Sequence, residues 1–152
     1  MREMTSSLNP NSVPFSNPPD DRVRTILKEM KRIAVIGISA REDRASHGIA
    51  RFLVGQGFEV FGVNPVLKEP VLDLPIYPSL ADVPGPVDVV NIFRRSDQVL
   101  PIVEEAIRRK DQCIWLQEQV INPNAAEIAN SAGLDVLMDI CIYKEWLRLM
   151  NG

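Results

Sequence analysis

The chain has 152 residues, of which 45% are hydrophobic and 24% are charged. This balance is typical of one globular domain and excludes collagen-like repeats, a coiled coil and wholesale disorder. The 17 Lys and Arg against 20 Asp and Glu give a net charge of −3, so duplex nucleic acid is not an expected partner, and two cysteines with one histidine are too few for a zinc site unless acidic side chains complete it.

The N-terminal residues are expected to form a flexible tail. Residues 1–19 are rich in Pro, Ser and Asn and hold few large apolar side chains, so burial cannot offset the entropy of ordering them. An arm that docks on a partner subunit is the alternative. The chain shows no secretory signal pattern at its start and no apolar run near the roughly 18 residues that cross a bilayer. We therefore expect a cytoplasmic protein without membrane contact, whose domain spans residues 20–152.

The first half of the domain predicts a strand, helix, strand unit preceded by a short amphipathic helix. That first helix is capped by Asp20 or Asp21. The continuous apolar run over residues 32–38 indicates a central parallel strand buried on both faces. A polar loop follows, then helical spacing over residues 46–56 and a second strand over residues 58–63. Because such units have right-handed crossovers, the two strands are expected to be parallel.

The second half repeats this alternation. Strands are predicted from apolar runs at four places: residues 76–77, 87–93, 113–117 and 136–139. Helices are predicted from helical spacing at three places: residues 96–110, 123–132 and the segment from Ile142 onward. The chain therefore predicts the α/β class, as a single doubly wound, Rossmann-like domain with a parallel sheet of five or six strands and helices on both faces.

A ligand site is expected at the carboxyl ends of these strands, because open α/β sheets bind ligands there, where the strand order reverses. Five segments follow predicted strands and should meet at that edge: residues 37–46, 64–68, 93–96, 117–120 and 139–141. Together they offer hydroxyls, arginines, side-chain amides and the N-terminus of a helix, which is the chemistry of an anion-binding surface.

The loop after the first strand argues against a nicotinamide cofactor. A dinucleotide fingerprint needs three glycines at G-x-G-x-x-G, but only Gly37 is in place and Ser39 replaces the second. The second strand ends at Asn64-Pro65 instead of the acidic residue or Arg that meets the ribose in NAD and NADP enzymes. A phosphorylated nucleotide with an extra charge, met by arginines, fits this loop better.

Four short motifs, lying between about residues 26 and 143, carry a resemblance to a known family. They are Gly37-x-Ser39-x4-Arg44-x-Ser46, Val63-Asn64-Pro65, Phe93-Arg94-Arg95, and Trp115-Leu116-Gln117 followed by Met138-Asp139-x-Cys141. In order and spacing they resemble the coenzyme A-binding protein family, whose fold is that of the CoA-binding domain of the succinyl-CoA synthetase α subunit. The chain departs from the family pattern at Gln119, where relatives usually carry glycine, and at Ile140, where they carry a basic residue.

The resemblance implies coenzyme A as the ligand and ten residues that bind it. Four would hold the pyrophosphate with the help of the helix N-terminus: Gly37, Ser39, Arg44 and Ser46. Three would surround the adenosine, the last of them meeting its 3′-phosphate: Asn64, Pro65 and Lys68. Three would flank the nucleotide or lie along the pantetheine arm: Phe93, Arg94 and Gln117.

No constellation of side chains predicts catalysis. Acyl-CoA synthetases need an ATP-binding module and a phosphorylatable histidine in another domain, so the resemblance implies a CoA or acyl-CoA binding protein that acts as a carrier, sensor or regulatory module. A homodimer or a complex with a partner chain is compatible with the apolar C-terminal helix. Two alternatives stay open: an enzyme that reduces with NAD(P)H or handles acyl-CoA through Cys141 or Asp139, and a protein-interaction module with a vestigial nucleotide pocket.

Several conspicuous side chains are expected to be structural. His47 is expected to pack or to contact the backbone, while Cys113 and Trp115 should lie in the core. Cys141 is expected to be a buried or capping thiol, with a mixed disulfide to CoA as the alternative. Two acidic residues of the first loop should form ion pairs with the arginines beside them: Glu42 and Asp43 with Arg41 or Arg44.

Overall fold

Strands and helices alternate along the domain. A computed structural model describes residues 14–150 of the chain. This part contains six strands: β1 (Arg32–Ile36), β2 (Glu59–Val63), β3 (Ile76–Tyr77), β4 (Val89–Ile92), β5 (Cys113–Leu116) and β6 (Asp135–Leu137). It also contains five α-helices: α1 (Asp20–Glu29), α2 (Ala45–Gly55), α3 (Val99–Arg109), α4 (Pro123–Ser131) and α5 (Ile142–Met150). Within these residues no helix has the length and apolar character that crossing a membrane requires.

The strands form one parallel sheet in the order β3-β2-β1-β4-β5-β6. β1 lies between β2 and β4, and its last residue, Ile36, is in register with Val63 on one side and Ile92 on the other. The strand order therefore reverses at β1, which places the predicted ligand edge beside the loops that follow β1 and β4. The predicted fold class, a single doubly wound domain, is confirmed, and the sheet has six strands.

The central strands are buried on both faces because their apolar residues alternate between two cores. In β1, Ala34 and Ile36 pack in a core shared with α3 and α4. The alternate residues Ile33 and Val35 pack in a core shared with α1, α2 and α5. A strand whose side chains pack into two cores needs apolar residues at consecutive positions, which is why the apolar pattern over residues 32–38 is continuous rather than alternating.

The N-cap of α1 is Pro19 and no described side chain caps this helix, so the predicted cap by Asp20 or Asp21 is wrong and both carboxylates lie in the first turn. Several elements also end a residue or two from their predicted bounds. β1 ends at Ile36 because Gly37 takes a φ of +92°, which turns the chain out of the strand. The predicted helix over residues 96–110 begins as a short 3-10 helix, Ser96–Gln98, before α3. β6 ends at Leu137 and the chain then turns at Asp139, whose φ is +63°.

The segment before α1 is packed against the domain beside β6. The Asn17 side chain donates a hydrogen bond to the Met138 carbonyl oxygen at 3.0 Å and accepts one from the Met138 N–H at 2.7 Å. Phe15 packs against the apolar core. The structure thus differs from the predicted tail at these last residues before α1, and residues 1–13 of that prediction lie outside the described part.

Candidate functional site

Two adjoining clefts lie at the carboxyl ends of the central strands. The loop cleft, of about 380 Å³, is lined by Gly37, Ile38, Ser39, Arg44, Ala45, Ser46, Asn64 and Phe93. The rim cleft, of about 1050 Å³, is lined by Arg44, Ala45, Phe93, Arg94, Arg95, Gln117, Glu118, Gln119, Val120 and Asp139. The two clefts meet at three shared residues, Arg44, Ala45 and Phe93.

Two further clefts extend this surface on either side. The proline cleft, of about 380 Å³, is lined by Ile36, Gly37, Val63, Pro65, Pro78, Ser79, Leu80, Arg94, Asp97, Gln98, Pro101 and Ile102. The helix cleft, of about 610 Å³, is lined by Ala45, Gly48, Ile49, Arg51, Phe52, Gly55, Gln56, Gln117, Glu118, Cys141 and Tyr143. The proline cleft shares Gly37 with the loop cleft, and the helix cleft shares Gln117 with the rim cleft.

Gly37 brings the loop after β1 against the chain that follows β4. Its φ is +92°, a conformation that side chains rarely adopt, and a Cβ on it would lie 2.6 Å from the Phe93 carbonyl oxygen. Its N–H donates to the Val63 carbonyl oxygen at 2.8 Å. Glycine is therefore required here by conformation and by space, and the close approach lets Gly37 and Phe93 line the same cleft.

Buried polar contacts fix the rest of this loop. The ring nitrogen Nδ1 of the buried His47 lies 2.8 Å from the Ser39 carbonyl oxygen. The Asn64 side chain donates to the Ile38 carbonyl oxygen at 2.9 Å, and its Oδ1 accepts from the Val66 N–H at 2.8 Å. His47 thus contacts the backbone as predicted, and Asn64 ties the loop after β1 to the loop after β2.

The N-terminus of α2 lies at the loop cleft without a side-chain cap. Its N-cap residue is Arg44, and among the described residues no side chain accepts a capping hydrogen bond there. The first turn contains no acidic residue, and Ala45 and Ser46 from this turn line the cleft. Because first-turn N–H groups need acceptors and carry partial positive charge, this end of α2 is suited to an anion.

Acidic side chains pair with some arginines of the site and not with others. Asp43 pairs with Arg41 at 2.9 Å, as predicted, and Asp97 pairs with Arg95 at 3.3 Å. Arg44 has no carboxylate partner among the described residues. Arg94 likewise pairs with no described carboxylate, and its Nε donates to Gln98 Oε1 at 3.0 Å. The loop and rim clefts therefore hold two cations whose charge is not neutralised within residues 14–150.

Glu42 pairs with Arg51 in α2 at 3.8 Å, rather than with the arginines predicted for it. Glu118, where the rim and helix clefts meet, pairs with Lys144 at 2.8 Å. The hydrogen bond that Lys144 Nζ donates to Glu118 raises the pKa of Lys144 and so favours its charged form. The carboxylate at the junction of the two clefts is therefore balanced by a cation.

Gln117 follows β5 and is only 5% exposed, and its Oε1 has no hydrogen-bond partner among the described residues. It lines both the rim and the helix cleft. Beside it, Gln119 and Asp139 have φ values of +70° and +63°, and the Gln119 N–H donates to Asp139 Oδ1 at 2.7 Å. The left-handed conformation at Gln119 explains why glycine is the usual residue at this position of the family pattern.

The structure brings nine of the ten predicted ligand-binding residues to these clefts: Gly37, Ser39, Arg44, Ser46, Asn64, Pro65, Phe93, Arg94 and Gln117. Lys68, the tenth, is exposed and lines none of the four clefts.

Trp115 is fully buried and its Nε1 donates to the Ile140 carbonyl oxygen at 3.0 Å. Burial raises the pKa of the Cys113 thiol far above its usual range, which keeps it protonated. Trp115 and Cys113 are thus core residues, as predicted.

The predicted residues include Gly37, Pro65 and Arg94 of the proline cleft and Gln117 of the helix cleft, but sequence reasoning missed the other residues of these two clefts. The apolar wall of the proline cleft comes from Pro78 and Leu80 after β3 and from Ile102 in α3, which are distant in sequence from the motifs. The only sequence signal for it was the short apolar pair that became β3. The helix cleft depends on Gly48 and Gly55, two glycines inside a helical pattern that could have been noted as unusual.

Comparisons with known proteins match this fold closely. A family model described as CoA binding domain matches residues 31–146. The chain is 37% identical over 128 residues, 84% of its length and 94% of the relative's, to a Bacillus subtilis protein named "Uncharacterized protein YneT". The solved structure of a hypothetical protein from Pyrococcus horikoshii OT3 superposes with a TM-score of 0.85 at 31% identity, covering 93% of this chain and 99% of that one. The dinucleotide-forming acetyl-coenzyme A synthetase 1 of Ca. Korarchaeum cryptofilum superposes with a TM-score of 0.60 at 27% identity, covering 70% of this chain and 25% of that one.

Proposed function

Because this chain belongs to the family of CoA-binding domains, we propose that it binds coenzyme A or an acyl-CoA in the clefts along the carboxyl ends of its strands. In this proposal it performs no chemistry by itself and serves as a carrier, sensor or regulatory module. The likeness to an acetyl-CoA synthetase covers 25% of that protein, so the synthetase reaction is not carried over to this chain.

The observation that carries the proposal is the uncapped N-terminus of α2 beside Arg44. The His47 and Gly48 N–H groups donate to the Arg44 carbonyl oxygen, and a pyrophosphate in the loop cleft would accept hydrogen bonds from the Ala45 and Ser46 N–H groups, which no described side chain caps. The Arg44 guanidinium, which has no described carboxylate partner, would supply a full positive charge next to those groups. The residues of the loop cleft thus fit a doubly charged phosphate group by both hydrogen bonding and charge.

The other clefts divide into parts that match the remaining chemistry of CoA. The proline cleft adjoins the loop cleft at Gly37 and offers apolar surface from Pro65, Leu80 and Ile102, which suits an adenine ring. The rim cleft adjoins the loop cleft at Arg44, Ala45 and Phe93 and offers amide and backbone groups around Gln117, which suit the polar pantetheine arm. The nucleotide would therefore lie across the point where the strand order reverses.

The surroundings of the candidate acids and bases support a binding role. His47 is buried, its Nδ1 contacts the Ser39 carbonyl oxygen, and its side chain lines none of the four clefts. The Asp139 carboxylate accepts from the Gln119 N–H and so supports a left-handed turn. A nucleophile with an adjacent base, which covalent catalysis on a thioester requires, is not formed by these side chains.

Calorimetric titration with CoA and with NADH tests the proposal. We expect CoA to bind and NADH to bind at least about tenfold more weakly, because a single glycine replaces the three of a dinucleotide fingerprint. Arg44→Ala should weaken CoA binding by about tenfold, the loss typical of one charge-assisted contact. Arg41→Ala is the matched control, because Arg41 lies in the same loop but pairs with Asp43. Tighter binding of NADH would favour a reductase, and no binding of either nucleotide would favour an interaction module.

Lys68 is proposed to meet the 3′-phosphate of CoA. It lies in the exposed loop that follows Asn64, four residues beyond the Asn64 turn that borders the loop cleft. Dephospho-CoA, which lacks the 3′-phosphate, separates this role from the others. Lys68→Ala should weaken CoA and leave dephospho-CoA unchanged, whereas equal losses for both ligands would remove Lys68 from the 3′-phosphate site.

A further inference from the structure

The helix cleft continues the rim cleft away from the strand ends. It begins at Ala45 and Gln117, which it shares with the rim cleft, and runs along α2 to Gly55. Ten residues separate Ala45 from Gly55, so at the helical rise this groove is roughly 15 Å long. A ligand that lies in the rim cleft can therefore extend into the helix cleft without leaving the protein surface.

Two glycines keep the surface of α2 bare along this groove. Gly48 and Gly55 are seven residues apart, which places them on the same face of the helix. A Cβ on either would meet no atom within 4 Å, and neither has a positive φ. Glycine weakens a helix relative to alanine, and here neither backbone conformation nor packing within the chain requires it. The two positions leave room for something outside the described chain.

Apolar side chains from α2 and from the segment around α5 line the groove beside these glycines, together with the polar side chains of Arg51, Gln56 and Glu118. Ile49 is 7% exposed and Phe52 stacks edge-to-face on Tyr143 with ring centroids 4.8 Å apart. Tyr143 itself is 40% exposed. Cys141 lines the groove beside Gln117 and is buried. The groove therefore offers an aliphatic and aromatic surface that begins where the polar rim cleft ends.

The buried Gln117 amide stands at the junction of the two clefts. Its Oε1 accepts no hydrogen bond from the described residues although the side chain is almost fully buried. Buried amide oxygens without a donor are rare in folded proteins, since each costs the hydrogen bond it had with water. A ligand that passes this point and carries an N–H group would supply the missing donor.

We propose that the helix cleft holds the apolar acyl group of an acyl-CoA whose pantetheine arm passes Gln117. This inference rests on the proposed function, because it assumes that the CoA moiety occupies the loop and rim clefts. A pantetheine amide N–H donates to Gln117 Oε1, and the acyl chain lies against Phe52 and Tyr143 over the bare surface at Gly48 and Gly55. The protein therefore prefers CoA thioesters of medium-length, apolar acyl groups to free CoA.

Titration with CoA, acetyl-CoA and octanoyl-CoA tests this preference. We expect octanoyl-CoA to bind at least about tenfold more tightly than acetyl-CoA, because each methylene buried from water adds to the affinity. If CoA binds but octanoyl-CoA binds no more tightly than acetyl-CoA, the inference is wrong while the proposed function stands. If no CoA compound binds, both are wrong.

Filling the groove locates the acyl site. Gly48→Leu places a leucine where the chain leaves open space, so we expect the fold to be retained, CoA affinity to stay within about twofold and the octanoyl preference to disappear. Gly55→Leu is a second variant at the far end of the groove, and it should affect octanoyl-CoA more than butyryl-CoA. Glu104→Leu, on the exposed surface of α3, is the matched control.

Sedimentation of each variant identifies the competing occupant. If Gly48→Leu separates a dimer into monomers and leaves the octanoyl preference intact, a second copy of the chain covers the groove and the inference is overturned. If both glycine variants keep the octanoyl preference and the assembly state, the acyl group lies elsewhere, and the inference is overturned as well.

Discussion

The helices α2 and α4 both begin at the carboxyl end of a central strand, but their N-termini are completed differently. At α4 the N-cap Asn122 accepts a hydrogen bond from the Ala125 N–H at 3.0 Å and donates to the Ser96 carbonyl oxygen at 3.0 Å. At α2 the N-cap is Arg44, and no described side chain caps the helix. A side chain of the chain itself thus accepts from a first-turn N–H at α4, whereas at α2 the Ala45 and Ser46 N–H groups are left to an external acceptor.

The difference shows how a binding site can be found without a motif. Both helix starts have the same dipole and the same place in the fold, so neither property distinguishes them. The helix α1 adds a third arrangement, because it lacks a capping hydrogen bond but carries Asp20 and Asp21 in its first turn. Only α2 combines an uncapped first turn, no acidic residue within it and an arginine at its start, among helices whose N-cap lies in residues 14–150.

The largest effect is expected from Gly37→Ala, which forces the loop that presents the α2 N-terminus out of place. The new Cβ would lie 2.6 Å from the Phe93 carbonyl oxygen at a φ of +92°. We expect a loss of more than about 3 kcal/mol in the free energy of unfolding, measured by urea denaturation, together with loss of CoA binding. Gly57→Ala is the matched control, since Gly57 has the same φ with open space around it, and should cost about 1 kcal/mol. Equal costs for both variants would show that the contact with Phe93 does not constrain the loop.

Giving α2 a side-chain cap like that of α4 should remove the difference between the two helix N-termini. Arg44→Asp gives α2 a side-chain cap and a favourable charge at its N-terminus, so we expect a gain of about 0.5 to 1 kcal/mol in stability. The same carboxylate repels a pyrophosphate, and CoA affinity should fall by about a hundredfold. Thermal denaturation and calorimetric titration of one preparation measure both effects. A stabilised variant that still binds CoA normally would separate the helix N-terminus from the ligand site.

Removing the cap of α4 should lower the stability of the protein and leave its affinity for CoA unchanged. Asn122→Ala deletes the hydrogen bond to the Ala125 N–H and the one to the Ser96 carbonyl oxygen. We expect a loss of about 1 kcal/mol in the free energy of unfolding, with CoA affinity unchanged. Asn122→Ser, which restores a capping oxygen, should recover part of the stability. A change in CoA affinity without a change in stability would place α4 in the binding site.

The smallest effect is expected at α1, where protonation of the Asp20 carboxyl removes its ion pair with Arg148. The hydrogen bond from Arg148 lowers the pKa of the Asp20 carboxyl below its ordinary value of 3.8. Because the folded pKa is lowered, the stabilisation is complete above pH 3.8 and is lost as the pH falls through the lower, folded value. Asp20→Asn should therefore lower the Tm slightly at pH 7, and the difference from the unchanged protein should vanish near about pH 2. A difference that persists at that pH would assign the effect to something other than this ion pair.

The fold could be predicted from the sequence because a strand that is buried on both faces appears as a continuous run of apolar residues. In β1 every residue after Arg32 is apolar and buried, and the turn at Gly37 ends that run. The residues of the loop and rim clefts could be predicted for a related reason. Strand ends can be located from apolar runs, and parallel strands bring all their carboxyl ends to one edge. The strand ends predict the segments that meet at that edge, whereas the ten individual ligand-binding residues are implied by the family resemblance, and nine of them line the clefts.

Features that depend on pairing across long sequence separations could not be predicted. The contact between Asn17 and Met138 joins residues 121 positions apart, and composition alone marks the segment around Asn17 as tail-like. The apolar wall of the proline cleft likewise joins Pro78 to Ile102. Local pattern also fails where a residue adopts an unfavourable conformation, as Gln119 does at a φ of +70°, because propensity assigns such positions to glycine.

The hydrogen bonds beside β6 have a consequence for how copies of this protein meet. An outer strand of a parallel sheet exposes backbone groups that can recruit a strand from another molecule. Asn17 occupies the N–H and the carbonyl oxygen of Met138 at one end of β6, and Arg22 pairs with the Asp135 carboxylate at the other. A strand from another molecule therefore cannot pair with the backbone of Met138 unless it first displaces Asn17.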